Sequence, residues 1–142
     1  MSVSGESSRS IDARALRIRL EQNPQAPALA RAAVAGFSDG SEIGHARLAT
    51  LLLLVSEVVT NAVIHSSAPA QAEITLSARL THAGAVRVEV TDGGEGFTPI
   101  PRDPARPGGG YGLYLVEQEA RSWGVDRQGG TRVWFELATG AR

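Results

Sequence analysis

Residues 51–66 read LLLLVSEVVTNAVIHS, and the rest of the chain is organised around this segment. Its apolar run predicts a central helix, interrupted by three polar residues, Glu57, Asn61 and His65, at intervals of four positions. Residues four apart project from roughly one face of a helix, so these side chains point in a common direction. Burying a carboxylate or an amide without a partner costs on the order of 2–7 kcal/mol. A polar ligand at that face is the leading explanation for these residues.

The composition is that of a single soluble globular domain. The chain has 142 residues, 42% of them hydrophobic and 20% charged, with a formal net charge of −1 and no cysteine. This charge provides no basic field for nucleic acid or a membrane surface, and the lack of cysteine excludes disulfides and thiolate metal sites. The polar N-terminus shows no targeting segment, and Glu57 and Asn61 interrupt the longest apolar run before it could span a bilayer. We therefore expect a cytoplasmic protein with no nucleic-acid or membrane partner.

Hydrophobic periodicity predicts three helices and five strands. Helices are expected at residues 23–37, from residues 41–42 to residues 66–69, and at residues 112–123. Strands are expected at residues 15–20, 72–80, 86–91, 125–127 and 131–137, of which the second and third form an antiparallel pair. This order predicts an α+β fold, a two-layer sandwich with a mixed, mostly antiparallel sheet and three helices on one face. Residues 1–12 are expected to be a flexible tail and residues 13–139 a single domain.

The central helix offers two kinds of chemistry. Glu57 could polarise an attacking hydroxyl, and Asn61 could offer an amide oxygen to Mg²⁺, which favours oxygen ligands. The alternative for both is a buried polar pair bonded to neighbouring backbone groups. His65 is either a ligand or a histidine satisfied by the last carbonyls of the helix and by the helix dipole.

A carboxylate with several glycines follows the predicted strand 86–91. Asp92 stands at the end of that strand, before glycines at positions 93, 94 and 96. A carboxylate at a strand terminus can accept a hydrogen bond from a purine exocyclic amine, and glycines let the backbone approach a flat ring. Asp-Gly is also one of the commonest turn pairs, so an ordinary turn is the alternative.

A second glycine-rich segment, GGGYGL at residues 108–113, leads directly into an apolar helix. Exposed N–H groups and the positive end of the helix dipole favour phosphates, so the segment suits a polyphosphate. It is not a Walker loop, because no Gly-Lys-Ser/Thr follows, and not a Rossmann fingerprint, because a proline-rich loop precedes it. A flexible hinge before the helix is the alternative.

Together, and in this order, the three motifs resemble the GHKL ATP-binding superfamily, which includes gyrase-type ATPases and histidine-kinase catalytic domains. Residues 57–65 are similar to its N box, residues 92–96 to its first glycine box, and residues 108–113 to its second. Thr131 matches a threonine that family members place near the adenine. The resemblance covers about residues 14–138.

This resemblance implies a Bergerat-type sandwich that binds Mg-ATP. Glu57 would be the base for phosphoryl transfer, Asn61 would hold Mg²⁺, and Asp92 would bind adenine. The other nucleotide-binding residues that it implies are His65, Gly94, Gly96, Arg106, Gly108, Gly110, Tyr111, Gly112, Leu113 and Thr131.

Within the superfamily, the sequence is most similar to the small anti-sigma-factor serine kinases. One short domain, a lid of about a dozen residues between the glycine boxes, and the patterns SEVVTNAVIHS and WGVDRQGGTRVWFEL carry that likeness. It implies a serine/threonine protein kinase whose partners are a sigma factor and an anti-anti-sigma antagonist, and a homodimer is compatible with it. The alternatives are a regulatory module that binds ATP without transferring phosphate, and a plain ATPase.

The sequence departs from the family pattern at several positions. Position 64 is Ile, where histidine-kinase N boxes often carry a basic residue. The lid contains four prolines, and only Arg102 and Arg106 are there to meet a γ-phosphate. Which arginine does so stays open, as does whether Tyr111 covers the phosphates or simply packs.

Overall fold

The computed structural model of the protein describes residues 9–11, 15–65, 73–92, 112–127 and 130–140. Within these ranges the chain forms six strands and three helices. The strands are β1 (Arg9–Ile11), β2 (Ala15–Glu21), β3 (Glu73–Leu80), β4 (Ala85–Asp92), β5 (Ser122–Arg127) and β6 (Thr131–Ala138). The helices are α1 (Ala26–Ser38), α2 (His45–His65) and α3 (Gly112–Glu119).

The six strands form one sheet in the order β1-β2-β3-β4-β6-β5, and every neighbouring pair is antiparallel. The predicted pairing of β3 with β4 is confirmed, with Val88 opposite Ala78. β4 and β6 are paired along their whole length, from Ala85 opposite Ala138 to Asp92 opposite Thr131. The strands that end the chain therefore lie directly beside β4.

One face of the sheet is apolar and carries the helices. Alternate residues of the strands are buried, as in Val86, Val88 and Val90 of β4, because successive side chains point to opposite faces. Helix and strand residues belong to one continuous hydrophobic core. The opposite face, which we call the open face, carries half-buried and exposed polar residues. The expected α+β sandwich with three helices on one face is thus confirmed.

Helix α2 is the centre of the helical layer, in contact with α1, α3, β4 and β6. Its side chains at Leu51, Leu54, Val55 and Val59 are completely buried. By length and composition alone, the segment His45–Ile64 could cross a membrane, contrary to the expectation that its polar residues would interrupt it. The core helix of a soluble protein passes the same test, so this is weak evidence for a membrane span.

The start of β5 and the end of α3 differ from prediction. The sequence predicts a helix to residue 123, but α3 ends at Glu119 and Trp123 lies in β5, opposite Phe135. Gly124 explains the difference, since a Cβ there would lie 2.8 Å from Nε1 of Trp134. Without that side chain, β5 can pack under the Trp134 ring, and Trp123 and Val125 take up strand alternation.

Three other boundaries move for local reasons. Arg9–Ile11, inside the predicted tail, pair with β2, so part of that tail is a strand. Helix α1 begins later than residue 23 because the Asn23 side chain accepts a hydrogen bond from the Gln25 N–H (2.9 Å), a turn rather than a helix start. Helix α2 begins later than residue 41 because Ser41 also forms a turn, and Gly44 donates its N–H to Thr139 instead (3.1 Å).

Candidate functional site

The end of the β4–β6 pair places a carboxylate beside a hydroxyl on the helix-facing side of the sheet. Asp92 is the last residue of β4, Thr131 the first of β6, and the two are direct partners in the register. Both are buried, 1% and 0% exposed, and each continues the row of buried residues on its own strand. Sequence reasoning assigned both residues to adenine, and the structure brings these two together.

Helix α2 carries the second pair of predicted residues. Glu57 and Asn61 lie one turn apart, Glu57 half-buried and Asn61 only 4% exposed. Because residues four apart share a helix face, the predicted common direction of these two side chains holds. His65 is the last residue of α2, and the ligand role expected for it lies outside what the structure describes.

The Asn61 amide is an unusual group in this core. Its Nδ2 is buried and has no hydrogen-bond partner among the described residues. An unsatisfied buried donor costs about 1–3 kcal/mol, and such groups are rare in native structures. The alternative interpretation, in which neighbouring backbone groups satisfy this amide, therefore does not hold for Nδ2 within the described ranges. Since an amide can also turn over, the same position can present either its N–H donors or its oxygen to a ligand.

Burial changes the acidity of Glu57. Partial removal from water disfavours the charged form, which raises the pKa of this carboxyl above its ordinary value. A carboxylate with a raised pKa is a better proton acceptor than a surface glutamate. This shift suits Glu57 to act as a general base.

The second glycine-rich segment meets the structure only at its end. Helix α3 begins at Gly112, as predicted, and Leu113 anchors it in the core with 6% exposure. Helix α3 packs against α2, so it lies in the same layer as Glu57 and Asn61 of α2. Outside the described residues lie the predicted site residues Gly94, Gly96, Arg102, Arg106, Gly108, Gly110 and Tyr111.

The described residues contain no group of three or more His, Cys, Asp or Glu side chains that could hold a metal ion. Magnesium differs from zinc in this respect, because it keeps several waters and is usually held by one or two protein oxygens together with substrate phosphates. Asn61, with one amide oxygen on a buried helix face, fits a shared site of that kind.

Sequence reasoning missed a cavity of about 390 Å³ at the same end of the sheet, on the open face. Thr91, Asp126, Gly130 and Arg132 line it. The sequence does contain a signal for this cavity. Thr91 and Arg132 are each one position from a predicted site residue, Asp92 or Thr131, so their side chains lie on the opposite face of the sheet. The charged groups among its described lining residues are paired with each other, with Arg132 Nη2 2.6 Å from Asp126 Oδ2, so this cavity is not part of the candidate site.

Known proteins with the same fold include several kinase-related structures. The RsbU and RsbW domains of Rv1364c from Mycobacterium tuberculosis match with a TM-score of 0.69 at 24% identity, over 87% of this chain and 32% of that one. The blue-light activated histidine kinase EL346 of Erythrobacter litoralis matches with a TM-score of 0.55 at 27% identity, over 70% and 32% of the two chains. Its histidine kinase domain matches with a TM-score of 0.51 at 29% identity, over 66% and 45%.

The chain thus spans about a third of the first of these structures, and the identity there shows a shared fold. No curated protein matches the chain in sequence. A family profile does match, that of the histidine kinase-like ATPase domain, over residues 20–137. Since this match covers most of the chain and agrees with the motifs and the fold, the protein belongs to the histidine kinase-like ATPase domain family, whose members use ATP.

Proposed function

We propose that the protein is an ATP-dependent serine/threonine protein kinase that acts as an anti-sigma factor in the cytoplasm. In this proposal it holds a sigma factor and transfers the γ-phosphate of ATP to a serine or threonine of an antagonist protein. One observation carries the proposal: the buried Asn61 amide, whose Nδ2 has no partner among the residues that the structure describes, lies one helical turn from Glu57, a carboxylate with a raised pKa. The resemblance of residues 56–66 to anti-sigma-factor kinases, and the RsbW domain in a similar structure, support this branch of the family.

The fit to ATP rests on Asp92 and Asn61. A buried strand-end carboxylate can accept a hydrogen bond from the adenine amine, an interaction that distinguishes adenine from guanine, which has a carbonyl at that position. The Asn61 oxygen would hold Mg²⁺, and bound Mg²⁺ would supply positive charge against the phosphates. Asn61 Nδ2 is buried without a partner among the described residues, so a polar ligand at this position would compensate for the cost of burying it.

Glu57 is the residue that favours a kinase over a non-catalytic binding module. Phosphoryl transfer needs little covalent chemistry from the protein beyond positioning and a base that orients the attacking hydroxyl. A binding module would have no use for a half-buried carboxylate, whose burial raises its pKa and costs stability. Glu57 can meet the requirement for a base from one turn before Asn61.

The acceptor is expected on another protein. His45 begins α2 and is exposed, and His82 is exposed in the turn between β3 and β4. Neither lies where a γ-phosphate bound near Asp92 and Asn61 would be in line with it, because His82 is at the opposite end of β4 from Asp92 and His45 is at the opposite end of α2 from His65. We therefore expect negligible autophosphorylation on these histidines.

The test is purification of the protein from its own cells with its bound partners, followed by incubation with γ-labelled ATP and mass spectrometry. We expect label on a serine or threonine of a small co-purified protein, and loss of that label with Glu57→Ala. Bound partners and ATP without label would instead make the protein a non-catalytic regulatory module. Stable phosphohistidine on the chain itself would contradict the serine/threonine assignment.

A further inference from the structure

The open face divides into two halves that differ in charge pairing. In the half formed by β4, β5 and β6, the charged side chains neutralise one another. Arg87 lies 2.9 Å from Glu89 and 3.1 Å from Glu136, and Arg132 reaches Asp126 and Glu89 at 2.6 and 3.6 Å. The guanidinium of Arg87 also lies 4.1 Å from the centre of the Trp134 ring. This half is an internally satisfied network.

In the half formed by β2 and β3, Arg19 lies 3.9 Å from Glu73, but two other arginines are not neutralised. Arg17 and Arg79 are exposed, and neither makes an ion pair or a side-chain hydrogen bond within the part of the chain that the structure describes. Arg79 is also the direct cross-strand partner of Arg87, an arrangement of like charges that destabilises a sheet. Two guanidinium groups thus stand beside a third without a carboxylate of their own.

These arginines surround a groove of about 220 Å³. Its side chains come from Ala15 and Arg17 of β2, Ser77 and Arg79 of β3, and Arg87 and Glu89 of β4. Glu89 is the one carboxylate among the described lining residues, and it already pairs with Arg87 and Arg132. The groove therefore presents net positive charge, with the Ser77 hydroxyl between Arg17 and Glu89 in the cross-strand row.

The spacing of the arginines suits an extended chain. Arg17 lies opposite Ser77, so Arg17 and Arg79 are diagonal neighbours, about 7–8 Å apart in an antiparallel sheet. Alternate residues of an extended strand are about 7 Å apart and point to the same side. Two carboxylates separated by one residue would therefore each meet one guanidinium, which binds carboxylates with two parallel hydrogen bonds.

We propose that this groove binds an extended acidic segment of a partner protein, with carboxylates on alternate residues against Arg17 and Arg79. The net charge of the whole chain is −1, so the attraction is local to this groove and not a general affinity for polyanions. The groove lies on the face of the sheet opposite Asp92 and Thr131. The proposal is therefore independent of the nucleotide chemistry proposed above.

The test uses a fluorescein-labelled octapeptide of alternating glutamate and threonine, with binding followed by fluorescence anisotropy at low ionic strength. We expect saturable binding to the full-length protein that weakens as NaCl is raised from about 50 to about 300 mM. In Arg17→Gln/Arg79→Gln, the affinity should fall roughly two- to thirty-fold, the loss expected for two exposed ion pairs. The affinity of Arg17→Lys/Arg79→Lys should lie between that of the parent and that of the double glutamine variant, because the charge remains but the bidentate geometry is lost.

The matched control is Gln25→Glu/Gln118→Glu, which changes the net charge by the same amount at exposed positions away from the open face. It should bind the peptide like the parent, and an equal loss would overturn the proposal. An octapeptide with four glutamates in one block should bind more weakly, so equal affinity would contradict the alternate spacing. Full displacement by millimolar inorganic phosphate, or by an RNA homopolymer at equal charge, would assign the groove to a different anion. A dimer in sedimentation that Arg17→Gln/Arg79→Gln dissociates would assign it to a second copy.

Discussion

The two faces of the β4–β6 pair are built from alternating residues of the same strands, but polar side chains have different surroundings on each face. On the helix side, Asp92 and Thr131 are buried next to an apolar core. One position along on each strand, Thr91 and Arg132 are opposite one another on the open face, where charged groups pair with their neighbours. Polar residues on the helix side are therefore withdrawn from water beside the candidate site, whereas those on the open face are in contact with solvent and neighbouring charges.

On the helix side, the largest effect on activity is expected from Glu57→Ala. Removing the base should lower phosphoryl transfer by roughly 10²–10⁴-fold while ATP affinity changes only a few-fold. Single-turnover assays with the antagonist separate the two quantities. Glu117→Ala, an exposed carboxylate on α3, is the control and should transfer at the parental rate. Unchanged transfer in Glu57→Ala would leave that helix face to a structural role.

The same residue predicts the pH dependence of transfer. A base must be deprotonated to act, and burial raises the pKa of Glu57, so the rate should rise with pH through a value above that of a surface glutamate. Transfer rates measured at saturating ATP across the acid range report this value. If the rate instead rises with pH around the ordinary pKa of a glutamate, Glu57 is exposed to water when ATP is bound.

A smaller loss is expected from Asp92→Asn. Exchanging the carboxylate for an amide removes the negative charge and turns one of its two acceptor oxygens into an N–H donor, which should cost about 1–3 kcal/mol, or roughly 5–150-fold in ATP affinity. Calorimetry measures this affinity directly. Thr91→Ser, the neighbouring residue on the other face of β4, is the control and should bind ATP normally. If both variants bind like the parent and remain folded, Asp92 belongs to the turn alone.

Asn61→Leu should separate stability from binding. Nδ2 of this buried amide has no partner within the described ranges, so an apolar side chain of similar size should raise the free energy of unfolding by about 1–3 kcal/mol without nucleotide. Binding of Mg-ATP should weaken at the same time, since the leucine offers no oxygen. Denaturant titration and calorimetry test the two halves. A variant less stable than the parent would show that the amide has a partner after all.

The smallest expected change is on the open face. Arg87→Gln loses the contact with Trp134 and leaves Glu89 and Glu136 less well paired. The free energy of unfolding should therefore fall by about 0.5–1.5 kcal/mol. Arg19→Gln is the contrast, because Arg19 is largely exposed and lies 3.9 Å from Glu73. Thermal unfolding should show no measurable loss for it. An equal loss in both variants would mean that the network is no stronger than an isolated surface pair.

Patterns that depend on one segment were predictable from the sequence. The four-residue spacing of Glu57 and Asn61 gave their shared face, and the alternation of β4 placed Asp92 at its end. The fold class followed from the order of helical and strand patterns, together with the resemblance to the GHKL superfamily. These inferences need no knowledge of which segments meet in space.

Features that depend on contact between distant segments were not predictable. Trp123 fits both a helical and a strand pattern, and the choice depends on Gly124 meeting Trp134 of β6. The late start of α2 depends on Gly44 meeting Thr139 near the other end of the chain. The missing carboxylates of Arg17 and Arg79 become visible only when β2, β3 and β4 are aligned in register.

The positions of the two tryptophans give the protein a built-in optical readout. The sequence has two tryptophans, of which Trp123 packs against the core on the helix side and Trp134 lies on the open face above Gly124. Each of Trp123→Phe and Trp134→Phe therefore leaves a single fluorophore on a known side of the sheet. Emission from Trp123 would report events in the nucleotide layer, and emission from Trp134, beside Arg87, would report the arrival of a partner at the groove. Stopped-flow measurements on the two variants could then time each event separately, without an attached dye.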